Sequence, residues 1–186
     1  MDDSNRELPE VLSSDEIYKG KLISVARDTV REGDVTYVRE VVAHPGGAGI
    51  VPYFDDGTTA LVRQYRHPAR RFVLEIPAGK LDHGERPEQT AARELEEELG
   101  VVAARLEPLS AFYTTPGFCG EKLWVYLATG LRETALRHET DEIIEAVRLP
   151  FRDALALVAS GEIEDAKTII GLMLAARRLN IPSHDG

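Results

Sequence analysis

An α/β fold, a mixed β-sheet flanked by helices, is what this sequence predicts. Three observations lead there. Short alternating apolar segments outnumber helical ones, the helical patterns do not alternate strictly with the strands, and one helix sits mid-chain while two close the chain.

Taken in order, residues 1–13 read as a flexible tail. From Leu22, LISVARDTV leads through REGD to VTYVREVVA, a hairpin signal. AGIVPYF and TALVRQYR, joined by DDGT, read as a second hairpin. RFVLEIPAG is a short strand that ends at Pro77. Pro87 suits a first helical turn and Gly100 a helix exit, which predicts a helix over Pro87–Leu99. LEPLSAFYTT and EKLWVYLATGL alternate like strands, and IIEAVRLP is a further short strand. PFRDALALVASGE and EDAKTIIGLMLAARRLN carry apolar residues at three- and four-residue spacing, as helices do. Residues 181–186 read as a second tail. The expected organisation is a strand region over 14–44 and a main domain over 45–180, with no internal repeat.

Length suits one domain, and 43% hydrophobic residues suffice for a core. No apolar run reaches the eighteen residues of a membrane span. The acidic start MDDSNRELPEVLSSDE lacks the form of a secretory signal, and Cys119 is the lone cysteine. Both favour a reducing cytoplasm. A net charge of -10 repels phosphate backbones, so nucleic acid is not an expected partner. Small anionic substrates remain compatible where arginines or metal ions offset the field. The five histidines, His44, His67, His83, His138 and His184, show no ligand spacing.

The predicted helix Pro87–Leu99 carries Glu94, Glu96, Glu97 and Glu98. Like charges at three- and four-residue spacing weaken a helix by roughly a few tenths of a kcal/mol per pair. At about 100° per residue, Ala91, Ala92, Leu95 and Leu99 form a core-facing stripe. Glu94, Glu97 and Glu98 share a neighbouring arc, while Glu96 points elsewhere, near Arg93. Two readings stand: a solvated acidic face, or a hard divalent cation held by convergent carboxylates.

Residues 79–101, GKLDHGERPEQTAARELEEELGV, resemble the Nudix box, G-x5-E-x7-R-E-U-x-E-E-x-G-U with U apolar, at every defined position. The wider resemblance, to ADP-ribose pyrophosphatases of that family, runs from about Ile17 to Asn180. It implies a Nudix-type α/β/α sandwich around a mixed sheet, preceded by an N-terminal β-hairpin region, with residues 45–180 as the hydrolase domain. It implies hydrolysis of a nucleoside diphosphate linked to another group, with Mg²⁺ or Mn²⁺ and two or more ions per site. By position, Glu94, Glu97 and Glu98 are expected to hold metal, assisted by Glu85 and the backbone carbonyl of Ala78. Arg93 is expected to brace the glutamates, and Gly79 and Gly100 to shape loop and helix exit.

Substrate choice rests on other stretches. YTTPGFCGE places Pro116 fifteen residues past Val101, followed by Gly117 and Glu121, which resembles the ADP-ribose pyrophosphatase signature. Cys119 stands where the family carries a hydroxyl, or the position is shifted. Arg39, Arg63 and Arg66 are candidates for phosphates or ribose, because guanidinium forks suit phosphate oxygens. Tyr18 is a candidate to stack on adenine. For the general base, the resemblance implies an acid on a loop after the sheet strands, and RHETDEIIE offers Glu142 first and Glu139 second, with box residues Glu85 and Glu97 next. A homodimer is expected, with Arg27 or Tyr18 completing the partner's site.

The leading expectation is hydrolysis of ADP-ribose to AMP and ribose 5-phosphate. Alternatives are another ADP-sugar, GDP-mannose or a dinucleotide, and a Nudix-fold binding or regulatory protein without catalysis. Intact box glutamates weigh against the last, and the net charge against nucleic-acid processing.

Overall fold

The computed structural model describes residues 7–134 and 144–182. Among them ten strands and three α-helices follow in the order β1 (Glu10–Lys19), β2 (Ser24–Glu32), β3 (Val35–Ala43), β4 (Gly47–Pro52), β5 (Thr58–Arg66), β6 (Arg71–Glu75), β7 (Ala78–Lys80), α1 (Pro87–Leu99), β8 (Val101–Tyr113), β9 (Lys122–Glu133), β10 (Ile144–Pro150), α2 (Phe151–Ser160) and α3 (Ala166–Leu179). A short 3-10 turn, His67–Ala69, follows β5.

The chain divides into two compact units, Met1–Pro45 with Tyr113–Lys122, and Gly46–Phe112 with Leu123–Gly186. The first contains the antiparallel sheet β1-β2-β3. The predicted REGD hairpin is there: Glu32 pairs Val35 across a turn in which Gly33 takes φ 57°. β1 begins at Glu10, inside the stretch read from sequence as a tail. All its residues are exposed, so no buried face imposed an alternation that could be read.

In the second unit the strand orders are β7-β4-β9-β8 and β10-β5-β6. β4 pairs β9 in parallel and β7 antiparallel, which makes the sheet mixed as predicted. Every residue of β4 is buried. Ala48 and Ile50 cluster with Ala91 and Leu95 of α1, and Val51 clusters with Leu172 and Ala175 of α3. Helices therefore cover both faces of this central strand, and its two-residue period sends alternate side chains to each. Burying one such leucine contributes roughly 1.5–3 kcal/mol.

The second expected hairpin needs correction. β4 and β5 flank the DDGT turn and touch through a single bridge, Tyr53 to Thr59, but then belong to different strand sets. β4 has β7 on one side and β9 on the other, and the Tyr53 N–H goes to Ala128 O at 2.9 Å, so no edge remains for β5. β5 pairs instead with β6 and β10. RFVLEIPAG is likewise split, its first half in β6 and its end in β7.

Candidate active site

α1 spans Pro87–Leu99, as its punctuation predicts. Pro87 occupies the first turn, and Gln89 Oε1 accepts the Arg86 N–H at 3.0 Å, closing the entry. Gly100 exits in the left-handed region at φ 63°, its N–H on Glu96 O at 2.9 Å. The buried stripe differs from the wheel, and Leu99 is only half-buried. Ala91 and Leu95 are fully buried, but Ala92 is exposed, and Thr90, Glu94 and Glu98 share the buried side.

Two carboxylates thus lie in the interior, Glu94 at 8% exposure and Glu98 at 4%. Glu94 presses on the loop entry: a Cβ at Gly79 would overlap its carboxylate as it is placed, and that carboxylate would have to shift. Glu98 Oε2 accepts the Ala78 N–H at 3.3 Å. Arg93 ties the group together. Its Nη1 donates to Glu94 Oε1 at 2.6 Å and Glu97 Oε2 at 2.9 Å, while Nε and Nη2 reach Glu85, each at 3.2 Å. Nη2 also donates to Lys80 O at 3.3 Å, fastening helix to loop.

Glu85 is held down to about 2, first by its bonds from Arg93, against the opposing effect of burial, and then by bonds from Thr90 and the Asp82 N–H. Burial works against the Arg93 charge, but bonds and charge from Glu85, Glu94 and Glu97 outweigh it and push its pKa up. Three carboxylates, Glu85, Glu94 and Glu97, therefore gather around one guanidinium, and Glu98 lies buried on the same helix against the Ala78 N–H. A hard divalent cation fits this donor set in chemistry and charge: carboxylate oxygens, a backbone carbonyl at Ala78 and excess negative charge. Among the described residues no trio of acidic, imidazole or thiol side chains is already drawn into a closed ligand set. Arg93 engages Glu85, Glu94 and Glu97 instead.

Arg66 and Arg63 both lie on β5 and differ in use. Arg66 forms a fork on Glu75, Nε to Oε1 at 2.6 Å and Nη2 to Oε2 at 2.7 Å. Lys167 on α3 also donates to Glu75 Oε2. Burial works against the Arg66 charge, but the Glu75 bonds dominate and raise its pKa, with further help from the charges of Asp165 and Glu98. Of the box carboxylates, Glu98 thus acts on Arg66 through its charge. Arg63 is exposed and lies 3.8 Å from Glu145 across the β5–β10 pair. Sequence reasoning passed over Glu75, Lys167 and Thr168. The available signal was an acid inside the apolar run FVLEIP and a lysine at a helix start.

Of the remaining candidates, Arg39, Arg27, Tyr18, Pro116, Gly117 and Glu121 belong to the first unit. Arg39, on β3, lays its guanidinium 4.0 Å from the Tyr37 ring centre. Arg27, on β2, lies 3.3 Å from Asp15 of β1. Tyr18 is 55% exposed and lies over Gly20. The Pro116–Gly117 turn docks on the end of β3, with the Val42 N–H on Phe118 O at 2.7 Å and the Gly120 N–H on Val42 O at 2.9 Å. Glu121 accepts from Thr114 Oγ1 at 2.7 Å and lies 3.4 Å from His44 Nδ1. Cys119 is a free thiol in this loop. Glu139 and Glu142 lie outside the described residues. Among the described residues no helix is long and apolar enough to cross a membrane.

Comparison with known proteins bears on this site. Residues 43–170 match the family model described as NUDIX domain. An ADP-ribose pyrophosphatase of Bacillus subtilis (strain 168) is 42% identical over 160 residues, covering 84% of this chain and 86% of that one. A methanol dehydrogenase activator of Bacillus methanolicus is 36% identical, covering 87% and 89%. A GDP-mannose pyrophosphatase of Yersinia pestis (strain Pestoides F) is 38% identical, covering 76% of each. A solved structure described as an ADP compounds hydrolase superposes with a TM-score of 0.84 at 24% identity, covering 95% of this chain and 96% of that one. This last likeness shows the fold, an α/β architecture with a mixed sheet.

Proposed function

The chain belongs to the NUDIX family, and on that premise we propose that it hydrolyses ADP-ribose to AMP and ribose 5-phosphate with a divalent cation, Mg²⁺ or Mn²⁺. The observation that carries this is the gathered box: Glu94 and Glu98 buried on α1, with Glu85 and Glu97 drawn in by Arg93. The ADP-ribose pyrophosphatase relative at 42% identity supports the substrate. The GDP-mannose pyrophosphatase relative supports a second substrate reading, another nucleotide sugar, at lower identity and coverage.

Glu94, Glu97, Glu98, Glu85 and the Ala78 carbonyl would hold two or more ions. When bound, such ions offset the diphosphate charge and lower the pKa of a bound water. The chain's own groups do the rest. Arg66, with Arg39 and Arg63, binds phosphate oxygens or ribose, and Arg93 keeps the carboxylates in register with the loop. Pro116, Gly117 and Glu121 form the turn proposed to present groups to the terminal ribose, and Tyr18 the face proposed for adenine. Water adds across the P–O–P bridge: its oxygen stays on one phosphate, and the bridging oxygen leaves with the other. Glu142, then Glu139, is proposed to take the water's proton. Its Gln variant should lose on the order of 10²–10⁴ in kcat with KM little changed. Near-normal kcat in both single variants and the double variant would move the base to Glu85 or Glu97.

We further propose a homodimer formed through β1–β3, with Arg27 or Tyr18 completing the partner's site, and a reducing, cytoplasmic setting. The wholly exposed strand β1 supports the dimer. A panel of ADP-ribose, other ADP-sugars, GDP-mannose and dinucleotides, assayed with Mg²⁺, tests the substrate. ADP-ribose should be turned over fastest, and turnover of GDP-mannose with none of ADP-ribose would replace the reading.

A further inference from the structure

We propose that Lys167 is a positioning residue for diphosphate binding: it fixes Glu75, and through Glu75 the guanidinium of Arg66. The proposal rests on the reading of Arg66 as a phosphate-binding group.

Glu75 is 2% exposed at the end of β6. A carboxylate so placed needs its lone pairs satisfied. Arg66 takes both oxygens through its fork, and Lys167 adds a third bond, to Oε2. Lys167 is itself mostly enclosed, its side chain 11% exposed, and is held 3.1 Å from Asp165. Asp165 caps α3, accepting from the Thr168 N–H at 2.9 Å and from Thr168 Oγ1 at 2.6 Å. The next strand residue is gripped as well, because Thr168 Oγ1 accepts the Ile76 N–H at 2.8 Å. The first turn of α3 thus holds two consecutive residues, Glu75 and Ile76, each 92 positions earlier in the chain.

The Arg66 side chain remains 41% exposed. An arginine at a strand end, bonded only to one carboxylate, forms a neutral pair that has lost much of its pull on an anion. Sharing Glu75 with Lys167 changes this. Part of the carboxylate's charge is met by the enclosed ammonium, and Arg66 keeps a rigid fork with charge left for a phosphate. Asp165 also draws on Lys167, but it is occupied by the cap and faces the positive end of the helix. Lys167 therefore acts on the ligand through Glu75 and Arg66, without touching it.

The probe is inorganic pyrophosphate with Mg²⁺, titrated by calorimetry, since a diphosphate is common to all the proposed substrates. Lys167→Met should weaken its binding about tenfold, and Lys167→Arg should restore most of it. Mn²⁺ affinity, measured separately, should stay within about twofold, because the box carboxylates are untouched. In an Arg66→Ala background Lys167→Met should cause no further loss. A purely structural lysine would lower the melting temperature and leave pyrophosphate affinity alone. Equal affinity of Lys167→Met and the wild type overturns the proposal. So does the same loss with Arg66 absent, or a wild type that binds no pyrophosphate. Should Lys167→Met not fold, Lys167→Gln provides the same comparison, with the same loss expected and unchanged affinity overturning it. A wild type that binds pyrophosphate but does not turn over ADP-ribose removes the substrate assignment and leaves the test of Lys167 intact.

Discussion

Glu97 and Glu98 are neighbours on α1 with different surroundings. Glu97 is bonded to Arg93 at 2.9 Å at the half-buried edge of the cluster, and Glu98 is enclosed against the Ala78 N–H. Both lie on the arc proposed for metal, and Glu96 lies off it. Glu97→Gln and Glu98→Gln should each reduce kcat on ADP-ribose by on the order of 10² or more, and Glu96→Gln should change it less than about threefold. Steady-state rates with saturating Mg²⁺ check this, and a Glu96 variant as damaged as Glu97 would remove the geometric basis. The grouping of Glu94, Glu97 and Glu98 was legible because a helix converts spacing into direction. The bracing by Arg93 was legible only through family resemblance. The close approach of Glu94 to Gly79 was not, since it brings a loop to a side chain fifteen residues later. Ala92 was misplaced because alanine fits either side of a helix, so its position within the stripe carried little information.

At the scale of elements, β6 and α3 are joined by a charged contact inside the main domain. Burial raises the Glu75 pKa, but the bonds from Arg66 and the charge of Lys167 more than offset it, leaving the carboxylate below its usual 4.5. A depressed carboxylate contributes stability that is fully present above the unfolded value. That contribution fades as pH falls through the folded one. Wild type should therefore melt well above Glu75→Gln at pH 7, and the gap should narrow as pH drops below about 4.5. Scanning calorimetry from pH 7 to 3 measures it, and a constant gap would contradict the assignment. α1 and the β2–β3 hairpin were readable from sequence because Pro87, Gly100 and Gly33 are local punctuation. The separation of β4 from β5 was not. A turn signal says that a chain reverses, while the partner of each strand depends on what buries its faces. β4 is buried on both, which made it a central strand and sent β5 elsewhere.

For the whole molecule, the first unit carries the clearest sign of an unmet surface. Val11, Leu12, Ile17 and Tyr18 on β1 are 44–59% exposed, and Val35 and Val38 on β3 more than half. These exposed apolar side chains are the basis for the proposed dimer. Light scattering should give twice the chain mass, and Val11→Asp with Ile17→Asp should give monomers of reduced activity. Full activity in a wild-type monomer would count against a shared site. In the other unit, buried carboxylates are proposed to hold the cations that let water cleave a diphosphate. The most direct test of this is the mass of the products formed from ADP-ribose in ¹⁸O-labelled water, with Mg²⁺ and with excess chelator. AMP and ribose 5-phosphate in equal amounts, one labelled oxygen per turnover and no reaction in chelator are expected. Undiminished turnover in chelator, or no cleavage of ADP-ribose with either Mg²⁺ or Mn²⁺, would contradict it.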